Sequence, residues 1–252
     1  MDVVGVIPAA GLGERLSPYT VEKEMLPIGF YNGRPKPVSQ YLVERMIEAG
    51  IKKIFMIINS NKLNLIKYYR NGRWLGAEIA YLYQDKPMGM GDALCHLIPW
   101  IQDQIIVMGM PDTIFEPFDA FRKLISFYIS TNCDLALGLF PVSNPSKCGV
   151  IGVDNHFNVI YHKDKPATSS FNWCWGIACW GKRFNEFMNC VCDSFRDYRK
   201  EFTFGNLIDM GLSNGLVVKG LPFEDGRYID VGTMDGIIDG WLLYGQLRGD
   251  KN

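Results

Sequence analysis

The sequence predicts an α/β protein built around a doubly wound, mostly parallel sheet. Through the first 140 residues, short apolar segments alternate with segments whose apolar residues recur every three or four positions. Short apolar runs are typical of strands buried on both faces, and the longer periodic segments are typical of helices that join parallel strands. The alternation therefore indicates repeated strand–helix–strand units.

The predicted elements of this first part follow from that periodicity. Gly50 stands at the end of the first predicted helix, and glycine commonly closes a helix in the left-handed conformation. The predicted strands, each short and apolar, lie at 3–7, 54–58, 79–83, 105–108 and 135–140. The predicted helices lie at 37–51, 64–70, 93–100 and 117–131.

After about residue 141 the pattern changes to hairpins and aromatic-rich strands. The letters "NHFN" separate two apolar segments and predict a hairpin turn. Further strands are expected at 173–180, 217–220 and 227–231, and helices at 183–195, 204–212 and 234–247. Because no linker or low-complexity segment interrupts the chain, we expect one domain over residues 1–252, with halves at 1–140 and 141–252.

Composition and charge exclude several classes of partner. The chain has 252 residues, 48% of them hydrophobic and 21% charged, and a formal net charge of −1. Lysines and arginines are scattered singly, so binding to nucleic acid or to a membrane surface is not expected. No apolar stretch reaches the roughly 18 residues of a membrane span, and the N-terminus lacks the features of a signal peptide.

The seven cysteines stand at irregular positions without a Cys-x-x-Cys pair, and there are only three histidines. A zinc site is therefore not expected. Thiols in this pattern are typical of a cytoplasmic protein, in which they stay reduced and pack as small hydrophobic groups. We therefore expect a cytoplasmic location and seven reduced cysteines.

A glycine-rich turn, "PAAGLGERL", follows the first predicted strand. Gly11 and Gly13 would let a phosphate approach the backbone, and Arg15 and Lys23 would supply positive charge. Neither standard nucleotide-binding motif is present, because Leu16 replaces the third glycine of the dinucleotide motif and the G-K-[ST] pattern is absent. On these residues alone, a phosphate-binding loop and a plain structural turn both remain open.

The letters "PAAGLGERLSPYT" and "KEMLPI" resemble the signature of the sugar-1-phosphate nucleotidyltransferases, G-x-G-[ST]-R-[LF]-x-P-x-T with a later lysine ahead of Leu-Pro. This loop is closest to the UTP–glucose-1-phosphate uridylyltransferases, whereas later blocks lean toward the glucose-1-phosphate thymidylyltransferases. The later blocks follow in family order at Gln84 with Gly89, Asp112 in "PDTIF", Gly149 in "CGV", Lys165 in "DKP" and Asp230 in "DVGT".

The resemblance implies a Rossmann-like nucleotidyltransferase fold and a nucleotidyl transfer reaction. A sugar-1-phosphate oxygen would attack the α-phosphorus of dTTP or UTP, with glucose-1-phosphate as the first candidate acceptor. The products would be a nucleotide-sugar and pyrophosphate. Because the attacking phosphate is already an anion, catalysis would depend on positioning and charge neutralisation rather than on a strong base.

The same resemblance assigns roles to individual residues. Catalytic roles are implied for Arg15, Lys23 and Asp112. Nucleotide binding is implied for Ala9, Ala10, Gly11, Gly13, Gln84 and Gly89, in residues 1–140. Binding of the sugar phosphate is implied for Gly149, Asp164, Lys165, Gly176 and Arg199, in residues 141–252. A homo-oligomer is also compatible with the resemblance.

Asp112 and Asp230 are the implied ligands of a Mg²⁺ cofactor. Each follows an apolar segment, and Mg²⁺ commonly takes one or two carboxylates together with substrate phosphates. Without the resemblance, the same residues read as helix and turn caps.

The chain also departs from the family pattern. The spacing from Arg15 to Lys23 is shorter than usual, the glutamate of E-K-P is replaced by Asp164, and the E-x-T-D block reads as residues 203–206 without its acids. Two alternatives therefore stay open: a cytidylyl- or guanylyltransferase acting on another sugar or polyol phosphate, and a non-catalytic nucleotide-sugar sensor.

Overall fold

The computed structural model describes residues 2–16, 22–195 and 201–245. Over this range a nine-stranded mixed sheet carries helices on both faces, which confirms the predicted α/β class. The strands are β1 (Val3–Pro8), β2 (Pro27–Tyr31), β3 (Arg34–Pro37), β4 (Lys53–Ile58), β5 (Glu78–Tyr83), β6 (Ile105–Gly109), β7 (Thr113–Glu116), β8 (Leu135–Pro141), β9 (Gly149–Val153), β10 (Val159–Asp164), β11 (Trp173–Trp180), β12 (Val218–Pro222) and β13 (Arg227–Asp230). The α-helices are α1 (Val38–Glu48), α2 (Leu63–Tyr69), α3 (Met90–Cys95), α4 (Ala120–Thr131), α5 (Lys182–Phe195), α6 (Phe204–Ser213) and α7 (Met234–Tyr244).

The sheet divides into a parallel part and an antiparallel part. Its main order is β10-β9-β11-β6-β1-β4-β5, and β8 pairs with β11 and β12. Strand β1 runs parallel to β4 and β6, whereas β11 runs antiparallel to β6, β8 and β9. Strands β1, β4, β5 and β6 come from the first half of the chain and form one parallel block, and a second parallel pair joins β8 to β12. One sheet therefore continues across both predicted halves.

Alternate residues of β1 face two separate cores, as expected for a doubly wound sheet. Val4 and Val6 pack in the core beneath α3, α5 and α6, while Ile7 packs in the core beneath α1, α2 and α4. All three are at most 3% exposed, and burial of each side chain contributes roughly 1.5–3 kcal/mol. A Cβ on Gly5 would lie 2.8 Å from Met46 Sδ, so a larger residue here would displace a core side chain of α1.

A split helix, an additional hairpin and the short strand β7 are among the differences from the predicted elements. The predicted helix at 93–100 is split into α3 and a short 3-10 helix (Ile98–Trp100), since Pro99 has no backbone N–H for a continuing α-helix. The β2–β3 hairpin was not predicted, although Asn32 and Gly33 both have positive φ and form the turn typical of an Asn-Gly pair. None of the helices in the described ranges has the length and apolar character to cross a bilayer.

The expectation of seven reduced cysteines is wrong for two of them. Cys95 and Cys192 form a disulfide between α3 and α5, with Cα atoms 5.8 Å apart. The two helices pack side by side, which brings thiols 97 positions apart in sequence within bonding range. Cys133, Cys174 and Cys179 are free and buried, in agreement with the predicted packing role.

We expect the double variant Cys95→Ser/Cys192→Ser to lose about 2–4 kcal/mol of unfolding free energy, since the disulfide closes a long loop in the unfolded chain. Urea denaturation measures this loss, and reduction of the wild type should reproduce it. Cys190→Ser is the matched control, because Cys190 is an exposed free thiol on the same helix. Equal stability of the double variant and the wild type would contradict the prediction.

Candidate functional site

The candidate site lies at the carboxyl edge of the parallel strands. Strands β1, β5 and β6 end at this edge, and each is followed by predicted site residues. A cavity of about 620 Å³ opens there. Ten of the predicted site residues line it, namely Ala10, Gly11, Gly13, Arg15, Lys23, Gln84, Gly89, Asp112, Lys165 and Asp230.

The glycine loop after β1 is held in place from strand β4. The Ala9 N–H donates to the Ile57 carbonyl at 2.8 Å, and Asn59 Nδ2 donates to the Ala10 carbonyl at 2.6 Å. Gly13 has a φ of +72°, which a residue with a side chain rarely adopts. Ala9, which was predicted to bind the nucleotide, is 1% exposed and does not line the cavity.

Lys23 and Asp112 form an ion pair at the base of the cavity. Lys23 Nζ lies 2.6 Å from Asp112 Oδ2, and both side chains are largely buried. Burial by itself would raise the pKa of Asp112, but the Lys23 ammonium and its hydrogen bond outweigh burial and hold that pKa below its usual value. Burial likewise opposes the charge of Lys23, yet Asp112 and Glu24 hold the pKa of Lys23 above its usual value. Both groups are therefore charged at neutral pH.

Asp230 reaches the same place because β13 pairs with β7. Asp230 lies opposite Thr113 in this antiparallel ladder, and the Val231 N–H donates to the Asp112 carbonyl at 2.9 Å. Arg15 Nη1 donates to Asp230 Oδ2 at 2.8 Å. The strand pairing thus joins two aspartates that are far apart in the sequence.

The side chains of Asp112, Asp230 and Arg15 converge beside Gly232. A Cβ built on Gly232 would lie 2.8 Å from Asp230 Oδ1, 2.9 Å from Arg15 Nη2 and 2.9 Å from Asp112 Oδ2. Any side chain here would collide with three charged groups. The two carboxylates offer hard oxygen donors next to space that phosphates could enter, which is a donor set suited to Mg²⁺. The described residues contain no cluster of three or more such ligands, so a third donor would come from substrate or water.

A buried ion pair lies directly behind Lys23 and was not predicted. Lys62 Nζ lies 2.7 Å from Glu24 Oε2, with side chains 3% and 0% exposed. Burial raises the pKa of Glu24, while Lys62 and Lys23 act against that rise. The pair fastens the short 3-10 helix Lys23–Met25 to the segment after β4. No motif marks it in the sequence, because its two members belong to separate loops.

The loop around Gly89 has a conformation that requires glycine. Its φ is +107°, and a Cβ there would lie 2.4 Å from the Phe202 carbonyl oxygen. The Gly91 N–H donates to that carbonyl at 2.7 Å, and the Phe202 N–H donates to the Met88 carbonyl at 2.7 Å. Residues 88–91 are thereby braced against the chain entering α6.

Most of the predicted sugar-phosphate residues lie beside the cavity rather than on its wall. Lys165 lines it and has a φ of +44°. Gly149 packs against Trp175 and pairs with Asp164 in the β9–β10 ladder, while Gly176 packs against Tyr228. Arg199 lies outside the described residues. The roles implied for Gly149, Asp164, Gly176 and Arg199 stay predictions.

Several residues of the cavity wall were not predicted from the sequence, and Glu201 and Tyr228 are among them. The letters "EFT" at 201–203 match the first three letters of E-x-T-D, two positions before 203–206, and this signal in the sequence marks Glu201. Thr203 and Asn206 instead form a capping box at the start of α6. Residues 203–206 contain no acidic residue, but Glu201, two positions before them, places a carboxyl group on the cavity wall.

Fold and site together define a class of α/β proteins in which a glycine loop, two cations and two carboxylates meet at the carboxyl edge of a parallel sheet. The chain belongs to the nucleotidyl transferase family, whose model matches residues 4–246. This confirms the resemblance that the motifs indicated.

Curated relatives agree with this family. The chain is 28% identical to a UTP–glucose-1-phosphate uridylyltransferase of Mycoplasma pneumoniae, over 97% of this chain and 92% of that protein. It is 30% identical to the low-salt glycan biosynthesis nucleotidyltransferase Agl11 of Haloferax volcanii over 64% of this chain, and the match spans 44% of the length of Agl11.

A solved structure of similar fold is a UDP-glucose pyrophosphorylase complexed with UDP-glucose. It superposes with a TM-score of 0.80 at 22% identity, over 97% of this chain and 99% of the other. At this identity the likeness establishes the Rossmann-like α/β fold and no more.

Proposed function

We propose that this protein transfers a nucleotidyl group from UTP or dTTP to a sugar-1-phosphate, with glucose-1-phosphate as the first candidate acceptor. The observation that carries the proposal is the convergence of Arg15, Lys23, Asp112 and Asp230 beside the glycine loop. Family membership supports the reaction type, and the name of the Mycoplasma relative supports the choice of UTP and glucose-1-phosphate. The later motif blocks favour dTTP.

In this proposal the protein works by positioning two polyanions and neutralising their charge. Backbone N–H groups of the glycine loop would contact the triphosphate, and Lys23 would face the α-phosphate from below the loop. Arg15 is half-exposed beside the cavity, where its positive charge would stabilise the pyrophosphate as it leaves. The acceptor phosphate is an anion in solution, so none of these residues needs to remove a proton.

Asp112 and Asp230 would hold Mg²⁺, which would offset the negative charge of the phosphates. Both carboxylates are now paired with cationic side chains. With these oxygens shared with the metal ion, Arg15 and Lys23 would be available to contact substrate phosphates.

We assign the two ends of the cavity to the two substrates. Gln84 and Gly89, from residues 1–140, would contact the base. Lys165, from residues 141–252, would contact the sugar phosphate, with Gly149, Asp164, Gly176 and Arg199 around the sugar. Oligomerisation stays a prediction on which the proposal does not depend.

The proposal is tested by pyrophosphate release from purified protein with Mg²⁺, each of UTP, dTTP, CTP, GTP and ATP, and a panel of sugar-1-phosphates. We expect turnover with UTP or dTTP and loss of turnover when Mg²⁺ is chelated.

We also expect Lys165→Met to raise the KM for the sugar phosphate more than the KM for the nucleotide. Tight binding of a nucleotide-sugar without turnover of any pair would instead establish a sensor, and turnover with CTP or GTP alone would overturn the base assignment.

A further inference from the structure

The side-chain amide of Gln84 has a defined orientation. Its Nε2 donates to Asp92 Oδ2 at 2.5 Å and to the Gly89 carbonyl at 3.3 Å. A carboxylate and a carbonyl can only accept hydrogen bonds, so the amide nitrogen must face them and the amide oxygen must face away. Gln84 is 2% exposed, so these two acceptors rather than bulk water decide which way its amide faces.

Of the two acceptors, Asp92 is the stronger. The distance to the Gly89 carbonyl lies at the long end for an N–H···O bond, whereas the bond to Asp92 is short and charge-assisted. Asp92 lies in the first turn of α3, eight residues after Gln84. Asp92 itself does not line the cavity, whereas the Gln84 side chain that it holds does.

The consequence is that Gln84 offers the cavity an acceptor. Gln84 contributes to the cavity wall, and among the described residues its Oε1 has no hydrogen-bond partner. Both amide protons are already used by Asp92 and Gly89. A base placed here therefore meets a carbonyl oxygen and not an amide N–H group.

We infer that Asp92 is a positioning residue that selects bases carrying a ring N–H, by holding the Gln84 amide with its oxygen toward the cavity. Uracil and thymine have a donor at N3, which would bond to Gln84 Oε1. Cytosine has a lone pair at N3, which would face the lone pairs of Oε1. A site built to accept from a ring N–H rejects a base that lacks it, because the acceptor is left unpaired.

This inference rests on the proposed function and is tested by binding rather than turnover. Dissociation constants of UTP and CTP are measured by calorimetry for wild type and for Asp92→Leu. The wild type should bind UTP roughly 10–100-fold more tightly than CTP, the effect of about one buried hydrogen bond. Asp92→Leu frees the amide to turn over, so this ratio should shrink by roughly 10-fold.

Two further variants separate positioning from general damage. Asp92→Asn can still accept from Gln84 Nε2 through its own amide oxygen, so it should keep most of the wild-type ratio. Asp239→Leu, an exposed aspartate on α7, is the matched control and should leave the ratio unchanged. Circular dichroism and thermal melting report whether each variant is folded.

The outcomes are distinct. If Asp92→Leu weakens both nucleotides equally and leaves the UTP/CTP ratio at the wild-type value, Asp92 has only a structural role and the inference is overturned, while the proposed function stands. If the wild type prefers CTP, the orientation of the Gln84 amide does not set the base. If the wild type binds neither nucleotide, the proposed function and the inference are both overturned.

Discussion

Asp112→Asn should lower the turnover number for nucleotidyl transfer by about 10³-fold, while the protein remains folded. The substitution removes one of the two carboxylates that converge beside Gly232. It also takes away the main counter-charge of Lys23, so burial would then lower the pKa of that lysine. Pyrophosphate release at saturating substrates measures the turnover. As pH rises, Lys23 should lose its charge earlier in the variant, so the residual activity should begin to fall at a lower pH than the activity of the wild type.

The matched control for this prediction is Asp103→Asn. Asp103 is exposed and pairs with Lys182 on the surface, where an ion pair contributes little. Turnover of that variant should stay within about twofold of the wild type. Full activity in Asp112→Asn would remove Asp112 from both the metal site and the catalytic group, and would leave Asp230 as the remaining acidic ligand.

The second large effect concerns the buried pair between Glu24 and Lys62. Lys62→Met should lower the free energy of unfolding by about 3–5 kcal/mol, because Glu24 would stay in the interior without the cation that is hydrogen-bonded to it. Glu24 Oε1 already has no hydrogen-bond partner among the described residues, so loss of Lys62 would leave neither carboxylate oxygen with its present hydrogen-bonded cation. Urea denaturation measures the loss.

The pH dependence of that loss has a defined sign. Burial raises the pKa of Glu24, and removal of Lys62 would raise it further. A carboxyl group whose pKa is raised on folding binds its proton more tightly in the folded state than in the unfolded state. Stability therefore decreases as pH rises from the pKa of the unfolded state to the pKa of the folded state. The cost of Lys62→Met should therefore be smaller at about pH 5 than at about pH 8.

A double-mutant cycle distinguishes a paired charge from ordinary packing. Glu24→Met/Lys62→Met should be much more stable than the sum of the single losses predicts, since two apolar side chains can replace a buried ion pair at little cost. Lys53→Met serves as the control, because its pair with Asp2 is exposed and its removal should cost less than about 1 kcal/mol. Strictly additive losses would show that the two residues do not act as a pair.

Strand and helix positions in the sheet could be predicted because their periodicity is local. The strand 173–180 was predicted with its observed ends, and the five strands of the first half lie within one or two residues of prediction. The short strand β7 was missed, since four residues leave too little pattern to distinguish a strand from a loop. The division of the sheet into parallel and antiparallel parts was also beyond local pattern, because it depends on which strands become neighbours.

The candidate site divides in a similar way. Arg15, Lys23, Asp112 and Asp230 could be named because they stand in motifs, and the structure brings all four to one cavity. Lys62 could not be named, because nothing near it in the chain indicates that it meets Glu24. The disulfide between Cys95 and Cys192 was missed for the same reason, since their spacing matches no motif.

The sequence by itself determined the α/β class, the order of the longer elements and the nucleotidyl transferase family, because apolar periodicity and motif letters are properties of neighbouring residues. Only the tertiary structure decided that Asp230 reaches Asp112 through the β7–β13 ladder, and that the Gln84 amide presents its oxygen to the cavity. Both depend on contacts between segments far apart in the chain, and the free energy of such contacts is set by packing and burial that no local pattern contains.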